Sequence, residues 1–194
     1  TLKMHKAMAE LNKIREDEAK AENKKFLELK IGIGLNTGEC IVGNMGSDQR
    51  FDYSVLGDSV NLASRLEGQS KSYGVKTVIG PETNKSVKDS YATLQLDMIA
   101  VKGKKEAVTI FTLGGDSNFK DSSEFIKLEK SHIKIPDYYF SQKWQECLNE
   151  IETAKILCNN LMSEYYEIMS IRINEFKKSP PPNNWDGVYV ATSK

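Results

Sequence analysis

The order of apolar and polar positions divides this chain of 194 residues into a helical start, a strand-rich middle and a helical end. Met4, Met8, Leu11 and Ile14 recur at helical spacing and predict a helix over 2–18. Residues 15–28 are dense in charge, with no apolar face until Phe26, and read as a solvated helix end and linker. Leu29–Leu35 and Glu39–Asn44 read as two short strands around Asn36–Gly38, a turn whose Asn and Gly tolerate positive φ. Phe51–Leu56 is a third strand after the polar loop Gly46–Arg50. Gly57 ends it, a helix follows over Asp58–Tyr73, and Gly74 is placed to cap that helix. Val75–Ile79 reads as a buried strand and Pro81–Val87 as a short helix with proline in its first turn. Thr93–Ile99 and Ala107–Leu113 then pair around the VKGKKE turn. Strands and helices mixed with short links predict an α/β sandwich with one mainly antiparallel sheet.

The pattern changes at Gly114–Ser123, GGDSNFKDSS, which reads as a linker. Helices are expected beyond it over about 123–131, 136–159 and 160–178. Trp144, Cys147, Leu148, Ile151, Ala154 and Leu157 mark one apolar face, and Pro180–Pro182 stops the last helix. The ending WDGVYV suits an extended segment laid against the domain.

Composition narrows the function. Lys plus Arg and Asp plus Glu are 27 each, so the formal charge is zero, which argues against a general nucleic-acid binder. No apolar run approaches the length that spans a bilayer. Cys40, Cys147 and Cys158 lack metal-ligand spacing, and an odd count points to reduced thiols and a cytoplasmic setting. His5 and His132 have no acidic or cysteine partner nearby in sequence and read as packing residues. The first residue is Thr and lies within a helical pattern, so the chain reads as part of something longer.

The candidate chemistry centres on the helix after the third strand. Asn61 and Arg65 stand four residues apart and so share a helix face. An amide beside a permanent cation suits a developing negative charge such as a phosphoryl group, although the pair also fits a turn cap and a surface ion pair. Asp58 reads as the N-cap of this helix, its carboxylate near the Val60 or Asn61 amides, and not as a metal ligand. Gly38, Gly43 and Gly46 read as backbone devices and not as a phosphate cradle.

The segment VLGDSVNLASRLE closely resembles the signature of the class III nucleotide cyclases, the adenylyl and guanylyl cyclase family. NTGECIVGNMGSDQRFDY upstream and VKGKKEAVTIFTL downstream are similar to the same family in the same order, and NNWDGVYVATSK looks like the ending of some bacterial members. The resemblance implies a ferredoxin-like cyclase core, truncated at its N-terminus and spanning residues 1–113, with 114–123 as linker and 124–194 as a helical tail. It implies conversion of ATP to 3′,5′-cyclic AMP and pyrophosphate at the interface of a head-to-tail homodimer, with two Mg2+ or Mn2+ ions. Asn61 matches the asparagine that orients the ribose, and Arg65 the arginine that stabilises charge on the α-phosphate. Lys102 matches a lysine that contacts the triphosphate, with Lys104 or Lys105 as alternatives and an ordinary hairpin lysine as the plain reading. Arg50 is a weaker candidate for the triphosphate or the dimer contact. Ser54, seven residues before Asn61, occupies the position that reads the purine edge, or is a plain strand serine; a hydroxyl can donate or accept and so discriminates poorly by itself, and the lean towards adenine is what the resemblance to bacterial adenylyl cyclases implies. The family's metal aspartates fall upstream of Thr1, so this chain alone is expected to be inactive, and any membrane attachment would come through upstream regions. The alternative is a catalytically silent cyclase-like module that binds nucleotide or dimerises.

Overall fold

The computed structural model describes residues 1–47, 50–100, 107–182 and 184–188, without the side chains of Ser47, Arg50 and Phe51. Helix α1, Leu2–Ala21, opens the chain. It is followed by strand β1, Ile33–Leu35, and by β2, Ile41–Ser47, and β3, Arg50–Leu56. Helix α2, Asp58–Ser72, leads to β4, Thr77–Ile79, and the short α3, Pro81–Val87. Strands β5, Ala92–Ala100, and β6, Ala107–Gly115, complete the strand-rich part. Helices α4, Ser117–Lys120, α5, Ser123–His132, α6, Lys134–Phe140, α7, Trp144–Leu157, and α8, Ser163–Lys178, form the rest.

The result is a mixed α/β fold in which antiparallel pairing dominates. The main sheet runs β1-β4-β6-β5, with β1 parallel to β4 and the other two pairs antiparallel. A second sheet holds β2 and β3 alone. The turn expected at Asn36–Gly38 therefore does not join paired strands: β1 goes to one sheet and β2 to the other. No residue of Asn36–Gly38 has positive φ. The Asn36 amide instead donates to the Ser59 carbonyl at 3.1 Å, tying the segment to the first turn of α2.

The helix expected over 2–18 is present as α1, and its apolar stripe meets no core: the helix has no buried residue, and Met4, Leu11 and Ile14 are exposed. Side-chain hydrogen bonds hold it instead: His5 Nε2 and Thr77 Oγ1 lie 2.8 Å apart, and the Asn12 amide donates to the Leu29 carbonyl and accepts from its N–H. The helix expected over 136–159 is two helices, because the chain turns at Gln142 with φ 55. Within residues 114–123, β6 runs to Gly115, Asp116 caps α4 and Ser122 caps α5.

One apolar core unites the sheet and the C-terminal helices. Leu62 and Leu66 of α2, Val78 of β4, Leu94, Leu96 and Ile99 of β5 and Ile110 of β6 join Phe125, Ile151, Tyr165 and Ile173 of the tail. Full burial of each such aliphatic side chain stabilises by about 1.5–3 kcal/mol. Tyr139, Trp144, Phe176 and Trp185 stack edge to face or tilted at its far end, with ring centroids 5.3–6.1 Å apart.

Candidate active site

Helix α2 is oriented by what lies beneath it. Leu62 and Leu66 point into the core one turn apart, while a Cβ on Gly34 of β1 would lie 2.2 Å from the Ala63 carbonyl oxygen and 2.3 Å from the Glu67 nitrogen. The helix backbone thus rests directly on the strand backbone. Each step along a helix turns by about 100°, so the residues that precede the two leucines face outward. Those residues are Asn61 and Arg65, and both are exposed.

The helix begins at Gly57, whose carbonyl accepts from Val60 and Asn61 nitrogens at 3.1 Å each. The expected Asp58 cap is absent: Asp58 is the first helical residue and makes no side-chain cap bond. Its charge still suits the positive end of the helix dipole. At the other end, Val75 N–H bonds Ser70 O at 2.9 Å and Gly74 N–H bonds Lys71 O at 3.3 Å, with Gly74 at φ 60. This is the double hydrogen bond of a Schellman motif, which the Gly74 signal anticipated.

Strand β3 leads into α2 through Gly57 and carries Ser54, half-buried, whose hydroxyl donates to the Asp52 carbonyl at 3.3 Å. Ser54 pairs with Gly43, and Ile41 pairs with Leu56 two residues away, so Ser54 shares its sheet face with Ile41 and Leu56. The opposite face presents Val42, Val55 and Tyr53. All five apolar side chains are exposed, Tyr53 by 78% and Ile41 by 71%. Arg50 opens β3, but its side chain lies outside the described residues, as does the whole of Lys102 with Lys104 and Lys105. The structure therefore places Asn61 and Arg65 on one outward face, with Ser54 on the strand that feeds it.

A two-ion site does not fit the described part of this chain. No group of three or more His, Cys, Asp or Glu converges among the described residues, and Asp52 and Asp58 are both exposed. The two histidines serve other ends. His132 is buried, its Nε2 2.5 Å from the Gln95 carbonyl and its Nδ1 2.8 Å from the Tyr166 hydroxyl. The carbonyl only accepts, so Nε2 carries the proton and Nδ1 accepts from Tyr166. Burial lowers the His132 pKa to about 4. Among the described residues no helix is long and apolar enough to cross a membrane.

The family model of the adenylate and guanylate cyclase catalytic domain matches residues 1–114, more than half of the chain, and the chain belongs to that family. It is 38% identical over 142 residues to the terminal-differentiation specific adenylate cyclase of Dictyostelium discoideum, a match covering 71% of this chain and 6% of the relative. Among solved structures, the adenylyl cyclase CyaB from P. aeruginosa is 35% identical, with TM-score 0.47 and coverage of 58% of this chain and 56% of that one. The guanylyl cyclase Cya2 is 32% identical, also at TM-score 0.47, covering 59% and 54%. The chain thus spans little more than half of these solved chains and a small part of the Dictyostelium protein.

Proposed function

We propose that residues 1–113 are the C-terminal part of a cyclase catalytic domain and supply the charge-stabilising half of a site that converts ATP to 3′,5′-cyclic AMP and pyrophosphate. The observation that carries this reading is the outward placement of Asn61 and Arg65 one turn apart on α2, a helix seated backbone to backbone on Gly34. The ribose 3′-oxygen attacks the α-phosphorus; a new P–O bond forms, the bond to the β-phosphate bridging oxygen breaks, and pyrophosphate leaves. Asn61 orients the ribose by hydrogen bonds, and Arg65 faces the negative charge that grows on the α-phosphoryl oxygens. Ser54, flanked by Ile41 and Leu56, meets the edge of a flat purine against an apolar surface. Lys102 and Arg50 are assigned to the triphosphate on the resemblance alone. The Mg2+ or Mn2+ ligands are assigned to a segment upstream on the resemblance alone. ATP is preferred to GTP in this reading because the Dictyostelium relative is named an adenylate cyclase.

A second copy of the chain is assigned to the β2–β3 hairpin. Val42, Tyr53 and Val55, exposed together on the face opposite Ser54, offer an apolar surface suited to cover by another protein. Val55→Lys should convert a concentration-dependent dimer to monomer in sedimentation; an unaltered dimer refutes this placement.

The test of the enzymatic reading is cyclic AMP formation from ATP with Mn2+ by the intact protein that carries this chain. Arg65→Ala should lower kcat by about 10²–10³, with a smaller effect on KM. An unchanged kcat overturns the role of Arg65. The chain alone should show no turnover. Binding of a fluorescent ATP analogue with no turnover in the intact protein would favour a silent cyclase-like module instead.

A further inference from the structure

The burial pattern of β5 changes phase. Ala92, Leu94 and Leu96 are buried at even positions, then Asp97 and Ile99 at odd ones. The register shows why: Gln95 pairs with Phe111 and Asp97 with Ile110, so β5 advances two residues while β6 advances one. Leu96 is the extra residue of a β-bulge. One inserted residue reverses which face every later side chain meets, and it turns Asp97 inward.

Two elements converge on that carboxylate. The Tyr73 hydroxyl, on the residue that closes α2, donates to Asp97 Oδ2 at 2.6 Å. Arg172 of α8 donates from a terminal guanidinium nitrogen (Nη1) to the same oxygen at 2.5 Å, and its guanidinium carbon lies 5.4 Å from the centre of the Tyr73 ring. The second oxygen accepts from Met98 N–H at 2.8 Å. The tail grips the two preceding residues as well: His132 takes the Gln95 carbonyl, and the Tyr165 hydroxyl donates to the Leu96 carbonyl at 2.7 Å. α8 also packs on the turn that follows α2, because Gly74 has no Cβ and Glu164 fills that space.

We propose that Tyr73, Asp97 and Arg172 form a positioning relay through which the C-terminal helices set the orientation of α2, and hence of Asn61 and Arg65. The proposal rests on the roles given to those two residues above. None of the three touches substrate; they are positioning residues. Gly34 sets the depth of α2 against the sheet but leaves it able to roll, and the relay stops the roll at the C-terminal end. With side chains reaching about 5–6 Å from the helix axis, a roll of about 10° moves the Arg65 head by about 1 Å. A displacement of about that size costs up to about 10² in rate at a preorganised site. The tail in this view is part of the catalytic apparatus, and an input that loosens it lowers turnover without touching the nucleotide.

Tyr73→Phe keeps the ring, its packing and its contact with Arg172 while deleting the bond to Asp97. In the intact protein kcat should fall about ten-fold with KM within about two-fold, since binding contacts stay and transition-state alignment is lost. In the 194-residue chain, hydrogen exchange over Asp58–Ser72 should speed up while β4 and β6 keep their protection. Asp97→Asn also leaves Arg172 without its charge partner, so it should lower protection throughout the chain, and should lower it most over Asp58–Ser72. Unaltered exchange over α2 in both variants overturns the relay. So does a loss of protection spread evenly over the whole chain, which marks a merely structural bond, or an unchanged kcat in an active intact protein. If the wild-type protein makes no cyclic nucleotide, the cyclase reading fails by itself, and the exchange pattern alone decides the relay.

Discussion

Gly34 and Glu67 meet backbone to backbone: a Cβ added at Gly34 would stand 2.3 Å from the Glu67 nitrogen and 2.9 Å from its α-carbon. Nothing flexible lies there to give way. Gly34→Ala must therefore push α2 off the sheet. Overpacking of a rigid contact costs about 1–3 kcal/mol, and for a chain of this size each 1 kcal/mol lowers Tm by about 2–4 °C. Thermal unfolding of the variant checks this, and a Tm equal to wild type would show that the helix is free to slide.

Breaking the buried ion pair should be costly in one direction only. The Arg172 and Asp97 side chains are 8% and 1% exposed. Arg172→Met leaves the Asp97 charge in the core without its guanidinium partner and should destabilise by about 3–5 kcal/mol. The double variant Asp97→Leu with Arg172→Met removes both charges and should recover most of that loss. Urea unfolding of the singles and the double measures the coupling. Additive losses would mean that the pair is not a unit.

The contact between tail and sheet should weaken in acid through His132. Burial holds its pKa at about 4, below the ordinary 6.5. The unfolded chain takes up a proton as pH falls below about 6.5, and the folded chain refuses it until about 4, so stability drops across that window. The slope is about 1.4 kcal/mol per pH unit and the total about 3 kcal/mol. Above pH 7 the effect is absent. His132→Gln keeps a donor and an acceptor but cannot titrate, so its loss of stability from pH 6.5 to 4 should be shallower than that of the wild type. Parallel curves refute the assignment.

Ser54 offers one hydroxyl to the base, and it bonds its own strand only weakly, at 3.3 Å. Ser54→Ala in the intact protein should lower the ATP-to-GTP ratio of kcat/KM without reversing it. One neutral hydrogen bond is worth about 0.5–1.5 kcal/mol, or about two- to twelve-fold. A wild-type preference for GTP would overturn the adenylyl assignment and leave the cyclase reading in place.

Much of the architecture is legible in the sequence. The Gly57 and Gly74 boundaries of α2, proline at the start of α3 and the β5–β6 pair follow from local rules, because turns and caps are decided within a few residues. The Asn61 and Arg65 face follows equally from spacing, since helical periodicity needs no knowledge of partners. The family could be recognised from three ordered segments, and the match to residues 1–114 agrees. Tertiary structure decided the rest. The stripe on α1 has the right period but meets no core, because a periodic pattern says which face is apolar and not what covers it. β1 and β2 look like a hairpin in sequence, yet parallel pairing of β1 with β4 outcompetes that local partner. Asp97 sits among apolar residues where a strand pattern predicts none, and the tail reads as a separate unit beyond a polar linker. A one-residue bulge and three side chains from helices 37 to 75 positions distant make that strand the junction between sheet and tail. Such an arrangement leaves no periodic trace, because its energy comes from groups that meet only after the chain has folded.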